Sequence, residues 1–235
     1  MINKNICFIT ARKGSRGIKN KNLRKINGKE LILHTFDFAK TLRKKFFIHV
    51  STDSKKIYNL AKEYNFFIDE LRPKRLSGPF VETIDVIKYE LNKHKRNKIN
   101  FTNALLLQPT VPFRDKKKIF RALRLIKSRN YNSVISISRI LSNHPYRMKI
   151  FSGKFLKNFC NFKKENMVPR QKLPKVYIRS GSFYLTKVKN IFKENSLVGR
   201  KCFGIEVFGK ETINIDSKFD LYLANNFRKL KLFNC

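Results

Sequence analysis

The segment ICFITARKGSRGIKNKN, residues 6–22, sets the fold class of this 235-residue chain. It opens with a short apolar run, Ile6 to Thr10, and continues as a basic stretch that contains Gly14 and Gly17. A short apolar run bounded by turn residues is typical of a buried strand in a parallel sheet. Ligands of open α/β sheets bind beyond the carboxyl ends of such strands, so the basic stretch is the first candidate binding loop.

The same alternation of strand and helix continues through the first 138 residues. Further strands are predicted at Phe46–Ser51, Phe66–Ile68, Ala104–Leu107 and Ser133–Ser138, and helices at Leu31–Leu42, Lys55–Tyr64, Val81–Lys93 and Lys116–Lys127. Strands that alternate with helices of about ten residues predict βαβ units with right-handed crossovers. We therefore expect an α/β fold with a mostly parallel sheet and helices on both faces.

The pattern changes after residue 138. His144–Phe151 and Gly181–Thr186 have strand character with no clear helix between them, and Phe155–Arg170 is basic and irregular. We interpret residues 139–180 as an arm inserted into a single domain of residues 1–235, because so short a segment cannot build its own core. The chain then returns to pattern with strands at Ile205–Phe208 and Thr212–Ile215 and a closing helix from Ser217 to about Leu230.

Composition limits the class of protein. Lys and Arg number 53 against 16 Asp and Glu, a net charge of +37, and 42% of the residues are hydrophobic. The hydrophobic content excludes a disordered polyelectrolyte. The charge indicates either a solvated basic surface or attraction to polyanions such as nucleic acid, nucleotides or acidic membranes. The four cysteines lack the spacing of a zinc site, and no apolar run suits a signal peptide or membrane helix, so we expect a soluble cytoplasmic protein.

The loop after the first strand has the composition of a phosphate-binding loop. Its glycines permit close backbone approach to a ligand. Its cations, Arg12, Lys13, Arg16, Lys19 and Lys21, supply charged hydrogen-bond donors. The sequence fits neither the Walker A motif nor the dinucleotide fingerprint, and the alternative is a basic surface loop.

A second constellation, Asn214 and Asp216 followed by Asp220, lies near the C-terminus. On a strand, two residues that are two apart point to the same side, where their oxygens could ligate a hard cation such as Mg²⁺. The alternative, which spacing alone favours, is that Asp216 or Ser217 caps the closing helix.

The remaining candidates are weaker. Gln108 follows another strand, Arg170 and Arg179 could meet an anionic substrate, and His144 is a possible base or a structural loop residue. No Ser-His-Asp set and no cysteine with a partner is recognisable. This argues against covalent catalysis and for in-line attack on a phosphate held by charged groups.

Taken together, these segments resemble the acylneuraminate cytidylyltransferase family, the CMP-nonulosonate synthetases. The resemblance rests on ITARKGSRGIKNKNLRKINGKELILHT and, in the family's order, on VSTDS, ELRP, LLLQPTVPFR, SNHPYRMK, PRQKLP, GSFYLT and INIDSKFDLYLA. It implies a Rossmann-like fold and the binding of CTP and Mg²⁺. The reaction it implies is attack of the C2 hydroxyl of a nine-carbon keto acid sugar on the α-phosphate, with release of pyrophosphate.

The resemblance also implies roles for individual residues. Arg12, Lys21 and Asp216 would be catalytic, and Asp216 and Asn214 would hold the metal. CTP would be bound by Arg12, Gly14, Ser15, Lys21, Asn22, Arg72 and Thr83. The sugar would contact Gln108 and Tyr184, with Arg147 and Arg170 of the arm reaching the neighbouring subunit's site, so that a homodimer is implied.

Two positions depart from the family pattern. The closing segment usually carries Asp-x-Asp, and here the first member is Asn214; the loop after Arg72 lacks an expected acidic residue. Leu197 and Val198 stand where some neuraminate enzymes have aromatics, which favours a bacterial nonulosonate other than N-acetylneuraminate. The competing hypotheses are a degenerate homologue that binds a nucleotide sugar without turnover and a basic nucleic-acid-binding protein; we expect neither membrane nor specific nucleic-acid partners.

Overall fold

The computed structural model describes residues 4–14, 17–160 and 168–227. Its strands are β1 (Asn5–Ala11), β2 (Lys25–Ile26), β3 (Lys29–Glu30), β4 (Phe47–Thr52), β5 (Asn103–Leu106), β6 (Ser133–Arg139), β7 (Lys149–Ser152), β8 (Phe155–Asn158), β9 (Tyr177–Lys187) and β10 (Cys202–Glu206). Its α-helices are α1 (Leu31–Lys40), α2 (Lys55–Glu63), α3 (Thr83–Arg96), α4 (Lys116–Ser128), α5 (Val188–Glu194) and α6 (Lys218–Asn226).

The central sheet has six strands in the order β10-β6-β9-β5-β1-β4. β1 runs parallel to β4 and β5, and β10 runs parallel to β6. β9 is antiparallel to both of its neighbours, β5 and β6. The predicted α/β architecture with a mostly parallel sheet is therefore confirmed.

Helices cover both faces of the sheet because the strands are apolar on both sides. Cys7 and Ile9 of β1 pack on one face in a cluster that includes Phe36 of α1. Ile6 and Phe8 pack on the other face in a cluster that includes Ile87 of α3. Burial on both faces explains why β1 reads as a continuous apolar run and not as an alternation.

Most predicted elements are present, with several corrections. In the predicted strand Phe66–Ile68 only Phe67 pairs, as an isolated bridge to His49. The predicted strand His144–Phe151 is a 3₁₀ turn at Pro145–Arg147 followed by β7. The predicted strand at Ile205–Phe208 is β10, which lies earlier, at Cys202–Glu206. Thr212–Ile215 is not a strand: a 3₁₀ turn covers Gly209–Thr212, and the next residues are extended without sheet pairing. The short helix α5 was not predicted. The closing helix begins at Lys218, and its predicted end lies outside the described residues.

The segment predicted to be an arm contains a hairpin that is separate from the central sheet. β7 and β8 pair only with each other among the described strands. The hairpin is apolar and exposed; Phe151 and Phe155 are 79% and 77% accessible. Within residues 4–14, 17–160 and 168–227, no helix combines the length and apolar character needed to cross a membrane.

Candidate active site

A cavity of about 480 Å³ lies beyond the carboxyl ends of β1 and β5. Its walls come from four parts of the chain. They include Arg12, Lys21 and Asn22 from the loop after β1, Arg72 and Thr83 from the segment around α3, Gln108 after β5, and Asp216 before α6. The structure thus brings most of the predicted site residues, about 200 positions apart at the extremes, into one cleft.

The loop after β1 is held in place by polar contacts of its own backbone. Asn22 Nδ2 donates to the carbonyl oxygen of Arg12 over 3.1 Å, and the amide of Lys13 donates to Asp53 Oδ1 over 2.6 Å. The same Asp53 oxygen lies 3.7 Å from Arg72 Nη2. Asp53 therefore joins the loop to the opposite wall, a role that the sequence analysis missed although it quoted the VSTDS motif.

Two arginines reach the cavity from opposite sides. Arg12 Nη1 donates to the carbonyl oxygen of Gly78 over 3.2 Å, which ties the β1 loop to the loop before α3. Arg72 is buried, and its burial lowers the pKa of the guanidinium while Asp53 and Glu90 counteract that shift. Both guanidinium groups are fixed before any ligand binds, so they can accept an anion at little cost in side-chain entropy.

Asp216 approaches the loop after β1 through both its backbone and its side chain. A Cβ on Gly17 would lie 2.4 Å from the carbonyl oxygen of Asp216, so only glycine fits there. Lys21 Nζ lies 2.7 Å from Asp216 Oδ1, and Asn214 Nδ2 donates to Asp216 Oδ2 over 2.6 Å. Asn214 and Asp216 therefore point to the same side, as predicted, although they do not lie on a strand.

The helix cap next to Asp216 is formed by Ser217. Ser217 Oγ accepts from the amide of Asp220, and Asp220 Oδ2 accepts from the amides of Ser217 and Asp216, which completes a capping box. Although burial acts to raise the pKa of Asp220, these hydrogen bonds lower it. Because Ser217 and Asp220 form the cap, the side chain of Asp216 is available to the cavity.

A second cavity of about 250 Å³ adjoins the first and shares Thr83 and Gln108 with it. Tyr184 and Arg179 of β9 line it, together with Leu197 and Val198. Burial raises the pKa of the Tyr184 phenol, which keeps it protonated as a hydrogen-bond donor. Glu82 adds a carboxylate to the same lining, so this small cavity offers charged, phenolic and carboxamide groups to a polar ligand.

Two neighbours position Gln108: Gly181 at its side-chain oxygen and Arg114 at its backbone carbonyl. Gly181 has φ +77°, and a Cβ on it would lie 2.6 Å from Gln108 Oε1. The buried guanidinium of Arg114 donates to the carbonyl oxygens of Gln108 and Ser182 and to Thr35 Oγ1. In the sequence Arg114 stood out only as the last residue of the LLLQPTVPFR motif, and nothing in its spacing revealed this role.

Among the described residues, four predicted site residues line neither cavity: Gly14, Asn214, Arg147 and Arg170. Asn214 reaches the larger cavity only through its hydrogen bond to Asp216. A Cβ on Gly14 would meet no described atom within 4 Å. Ser15 lies outside the described residues. Arg147 and Arg170 lie on the arm, where they donate to the carbonyl oxygens of Val168 and Leu141. Their predicted role in a neighbouring subunit stays a prediction.

Comparison with known proteins gives a consistent result. The family model described as "Cytidylyltransferase" matches residues 6–147. The chain is 30% identical over 235 residues to the CMP-N,N'-diacetyllegionaminic acid synthase of Legionella pneumophila, covering 96% of each protein. It is 27% identical over 241 residues to the N-acylneuraminate cytidylyltransferase of Escherichia coli, where 98% of this chain covers 54% of the relative.

Solved structures agree on the fold. The structure of a CMP:2-keto-3-deoxy-manno-octonic acid synthetase complexed with CTP superposes with a TM-score of 0.68 at 14% sequence identity, covering 98% of this chain and 100% of that one. At this identity the similarity establishes the fold and nothing finer.

Proposed function

The chain belongs to the cytidylyltransferase family, and from that premise we propose that it transfers CMP from CTP to the C2 hydroxyl of a sialic-acid-like nonulosonic acid, with release of pyrophosphate. The observation that carries the proposal is the pair of adjoining cavities. The larger is lined by three cations, Arg12, Lys21 and Arg72, and one carboxylate, Asp216; the smaller has one cation, Arg179, and one carboxylate, Glu82. The larger cavity therefore has the excess of positive charge that a triphosphate needs, and Arg179 is available to a sugar carboxylate.

The chemistry requires positioning and charge neutralisation more than a reactive side chain. We assign Arg12 and Lys21 to the triphosphate, where their charges would stabilise the α-phosphate during in-line attack and the departing pyrophosphate. Asn22, Arg72 and Thr83 would contact the cytidine end of CTP. Ser15 and Gly14 remain predicted members of the loop that holds the phosphates.

The sugar would occupy the smaller cavity. Gln108 and Tyr184 would bind its hydroxyl or acetamido groups, and Arg179 would pair with its carboxylate, because bidentate arginine–carboxylate pairs give both energy and orientation. Gln108 and Thr83 line both cavities, so the acceptor hydroxyl would meet the α-phosphate beside them. We propose a legionaminate-type sugar, since Leu197 and Val198 line this cavity and a legionaminate synthase matches over 96% of its length.

Magnesium is part of the proposal. The residues present fit an ion that arrives with the nucleotide. Asp216 offers one carboxylate in the cavity, and Asn214 beside it offers an amide oxygen. Phosphates commonly complete the coordination of Mg²⁺ in such sites. When bound, Mg²⁺ would neutralise charge on the triphosphate. The nearby ammonium of Lys21 supplies part of that neutralisation from the chain itself.

We also propose a homodimer that forms through the β7–β8 hairpin. The exposed aromatic side chains of Phe151 and Phe155 support this, because contiguous exposed apolar residues mark interaction sites. In a dimer, Arg147 and Arg170 beside the hairpin would face the partner's sugar cavity. A second copy would thereby complete the site.

The test is pyrophosphate release by the purified protein with Mg²⁺ and CTP against a panel of nonulosonic acids, including legionaminic, pseudaminic and N-acetylneuraminic acids. We expect release that requires both CTP and one sugar, with no release from ATP, GTP or UTP. CTP binding without release for any sugar would instead support a degenerate homologue. If CTP does not bind and the protein binds nucleic acid in a salt-dependent way, the proposal is wrong.

A further inference from the structure

A group of polar side chains lies in the core between β4 and α3, and none of them lines either cavity. It consists of His49 on β4, Glu90 and His94 on α3, and Asp69 in the loop between α2 and α3. His49 and His94 are 2% exposed and Glu90 is 4% exposed. The aromatic rings of Phe47, Phe67 and Phe101 pack around the two histidines. Polar groups are costly in such surroundings unless they are paired.

Three of these residues present ligand atoms to one point. One nitrogen of His49 and one carboxylate oxygen each of Asp69 and Glu90 lie within 4.8 Å of one another. His49 Nε2 and Glu90 Oε2 are 3.5 Å apart. Bonds of about 2.0–2.2 Å to a tetrahedral zinc ion place two ligand atoms about 3.4 Å apart, so this pair already has the required spacing.

The carboxylate of Glu90 is only half satisfied. Ser51 Oγ donates to Glu90 Oε1 over 2.7 Å, whereas Glu90 Oε2 is buried and has no hydrogen-bond partner among the described residues. Leaving a buried oxygen unpaired costs about 1–3 kcal/mol, more for a charged group. A cation between Glu90 Oε2 and His49 Nε2 would remove this cost.

His94 is placed to orient His49 as a ligand. His49 Nδ1 and His94 Nε2 are 2.8 Å apart, which is a hydrogen-bond distance. When His49 Nδ1–H is the donor, the lone pair of His49 Nε2 points towards Glu90. Metal-binding histidines are commonly oriented in this way, through a hydrogen bond from the other ring nitrogen.

We propose that His49, Asp69 and Glu90 form a binding site for a divalent transition metal, best fitted by Zn²⁺, that links β4 to α3 and the loop before it. An imidazole ligand favours Zn²⁺ over Mg²⁺, which prefers oxygen. The side chain of Asp69 is 39% exposed and provides the path of entry. Lys93 Nζ, 2.5 Å from Asp69 Oδ2 and 2.7 Å from Glu70 Oε1, is a cation of the chain that competes for the same carboxylate.

The experiment is a titration of the metal-free full-length protein with Zn²⁺ in competition with a chromophoric chelator, repeated with Co²⁺ to record its visible absorption. We expect one ion per chain in the wild type. Asp69→Asn and His49→Gln should each weaken Zn²⁺ binding at least about tenfold and abolish the Co²⁺ band, because each removes a ligand. Lys93→Gln should strengthen binding about threefold or more, since it removes the competing charge.

Asp216→Asn is the matched control, because it removes a carboxylate from the proposed magnesium site and leaves this cluster intact. Zn²⁺ binding should be unchanged in it. Absence of binding in the wild type, or binding that is lost in Asp216→Asn and retained in Asp69→Asn, would overturn the proposal. Since His49 is buried, its variant is checked by circular dichroism, and if it does not fold the half-exposed Asp69 decides the outcome.

Discussion

Lys21 Nζ lies 2.7 Å from Asp216 Oδ1, so a cation of the loop after β1 contacts the carboxylate that we propose as a metal ligand. The side chain of Lys21 is 14% exposed and that of Asp216 is 63% exposed. The pair joins the loop after β1 to the segment before α6 at the larger cavity. In the proposed reaction the ammonium would be held in place for a triphosphate, and its contact keeps the carboxylate in the cavity.

The first prediction follows from this pair. Lys21→Ala should lower kcat/KM for CTP by about 10²–10³-fold, since it removes a preorganised charge from the phosphates and frees Asp216 to move. Pyrophosphate release measures the effect. Lys40→Ala removes the same charge from the exposed end of α1, away from the cavities, and should leave the activity near wild type. Equal losses in both variants would mean that only net charge matters.

A second prediction concerns Asn214, whose amide donates to Asp216 Oδ2 over 2.6 Å. Asn214→Asp replaces that donor with a second carboxylate. The Mg²⁺ concentration for half-maximal activity should fall about tenfold or more, because an added unit charge near 4 Å from a divalent ion contributes about 2 kcal/mol even in water. A titration of activity with Mg²⁺ gives the value.

The maximal rate of Asn214→Asp separates two hypotheses. A rate close to that of the wild type means that Asp216 alone suffices in the native site. A gain of several orders of magnitude would mean that the native chain is an impaired enzyme. Asn226→Asp, at the end of α6, provides the control for an added negative charge outside both cavities.

The position of the loop after β1 at the cavity and the order of the elements could be predicted because they follow from local patterns. The apolar run before Ala11 and the glycines and cations after it define a strand end, and strand ends of a parallel sheet meet at one edge. The closing segment could not be predicted in this way. Ile213 and Ile215 are buried in a small cluster with Ile18 and Leu31. This burial explains why apolar and polar residues alternate in the segment, although no described strand pairs with it.

Contacts between distant positions account for most of what sequence reasoning missed. The strand character of Gly181–Thr186 gives no direction, so the antiparallel course of β9 was not foreseen. Arg114 became important only when folding placed the carbonyl groups of Gln108 and Ser182 around it. The same is true of His49 and His94, which are 45 positions apart and in hydrogen-bond contact.

A third prediction tests how Gln108 is positioned. Gly181→Ala places a Cβ 2.6 Å from Gln108 Oε1, so the carboxamide must shift. The KM for the sugar should rise about tenfold while the KM for CTP changes little, since a misplacement of about 1 Å is costly for a bound substrate. Separate saturation curves for the two substrates provide the measurement.

The control for Gly181→Ala is a second glycine with the same backbone strain. Gly28 has φ +81° against +77° for Gly181, but a Cβ on Gly28 would meet nothing within 4 Å. Gly28→Ala should therefore share the cost of about 1–2 kcal/mol for a left-handed alanine and keep the wild-type KM for the sugar. A similar rise in both variants would assign the effect to strain alone.

A fourth prediction concerns the β7–β8 hairpin. The double change Phe151→Asp and Phe155→Asp should convert the proposed dimer to a monomer, because it places charges on the apolar contact surface. Light scattering after gel filtration measures the mass, and activity should fall with it if Arg147 and Arg170 act on the partner. Phe219→Asp, at a residue 71% exposed on α6, should not change the mass. A wild type that is monomeric at all concentrations contradicts the assembly.

The last prediction concerns Arg114, whose charge is buried beneath the site. Burial lowers the pKa of its guanidinium to about 9, yet at neutral pH it remains charged and donates to three oxygens. Arg114→Met keeps much of the volume and leaves the carbonyl oxygens of Gln108 and Ser182 without this donor. The free energy of unfolding should fall by about 1–3 kcal/mol, since the carbonyl oxygen of Ser182 loses this donor while that of Gln108 keeps the amide of Val111. The change should also raise the KM for the sugar more than the KM for CTP, because Gln108 loses its support.

Urea unfolding and substrate saturation measure the two effects, and Arg124→Met on the exposed face of α4 should show neither. An unchanged sugar KM in a destabilised Arg114→Met would limit Arg114 to a structural role.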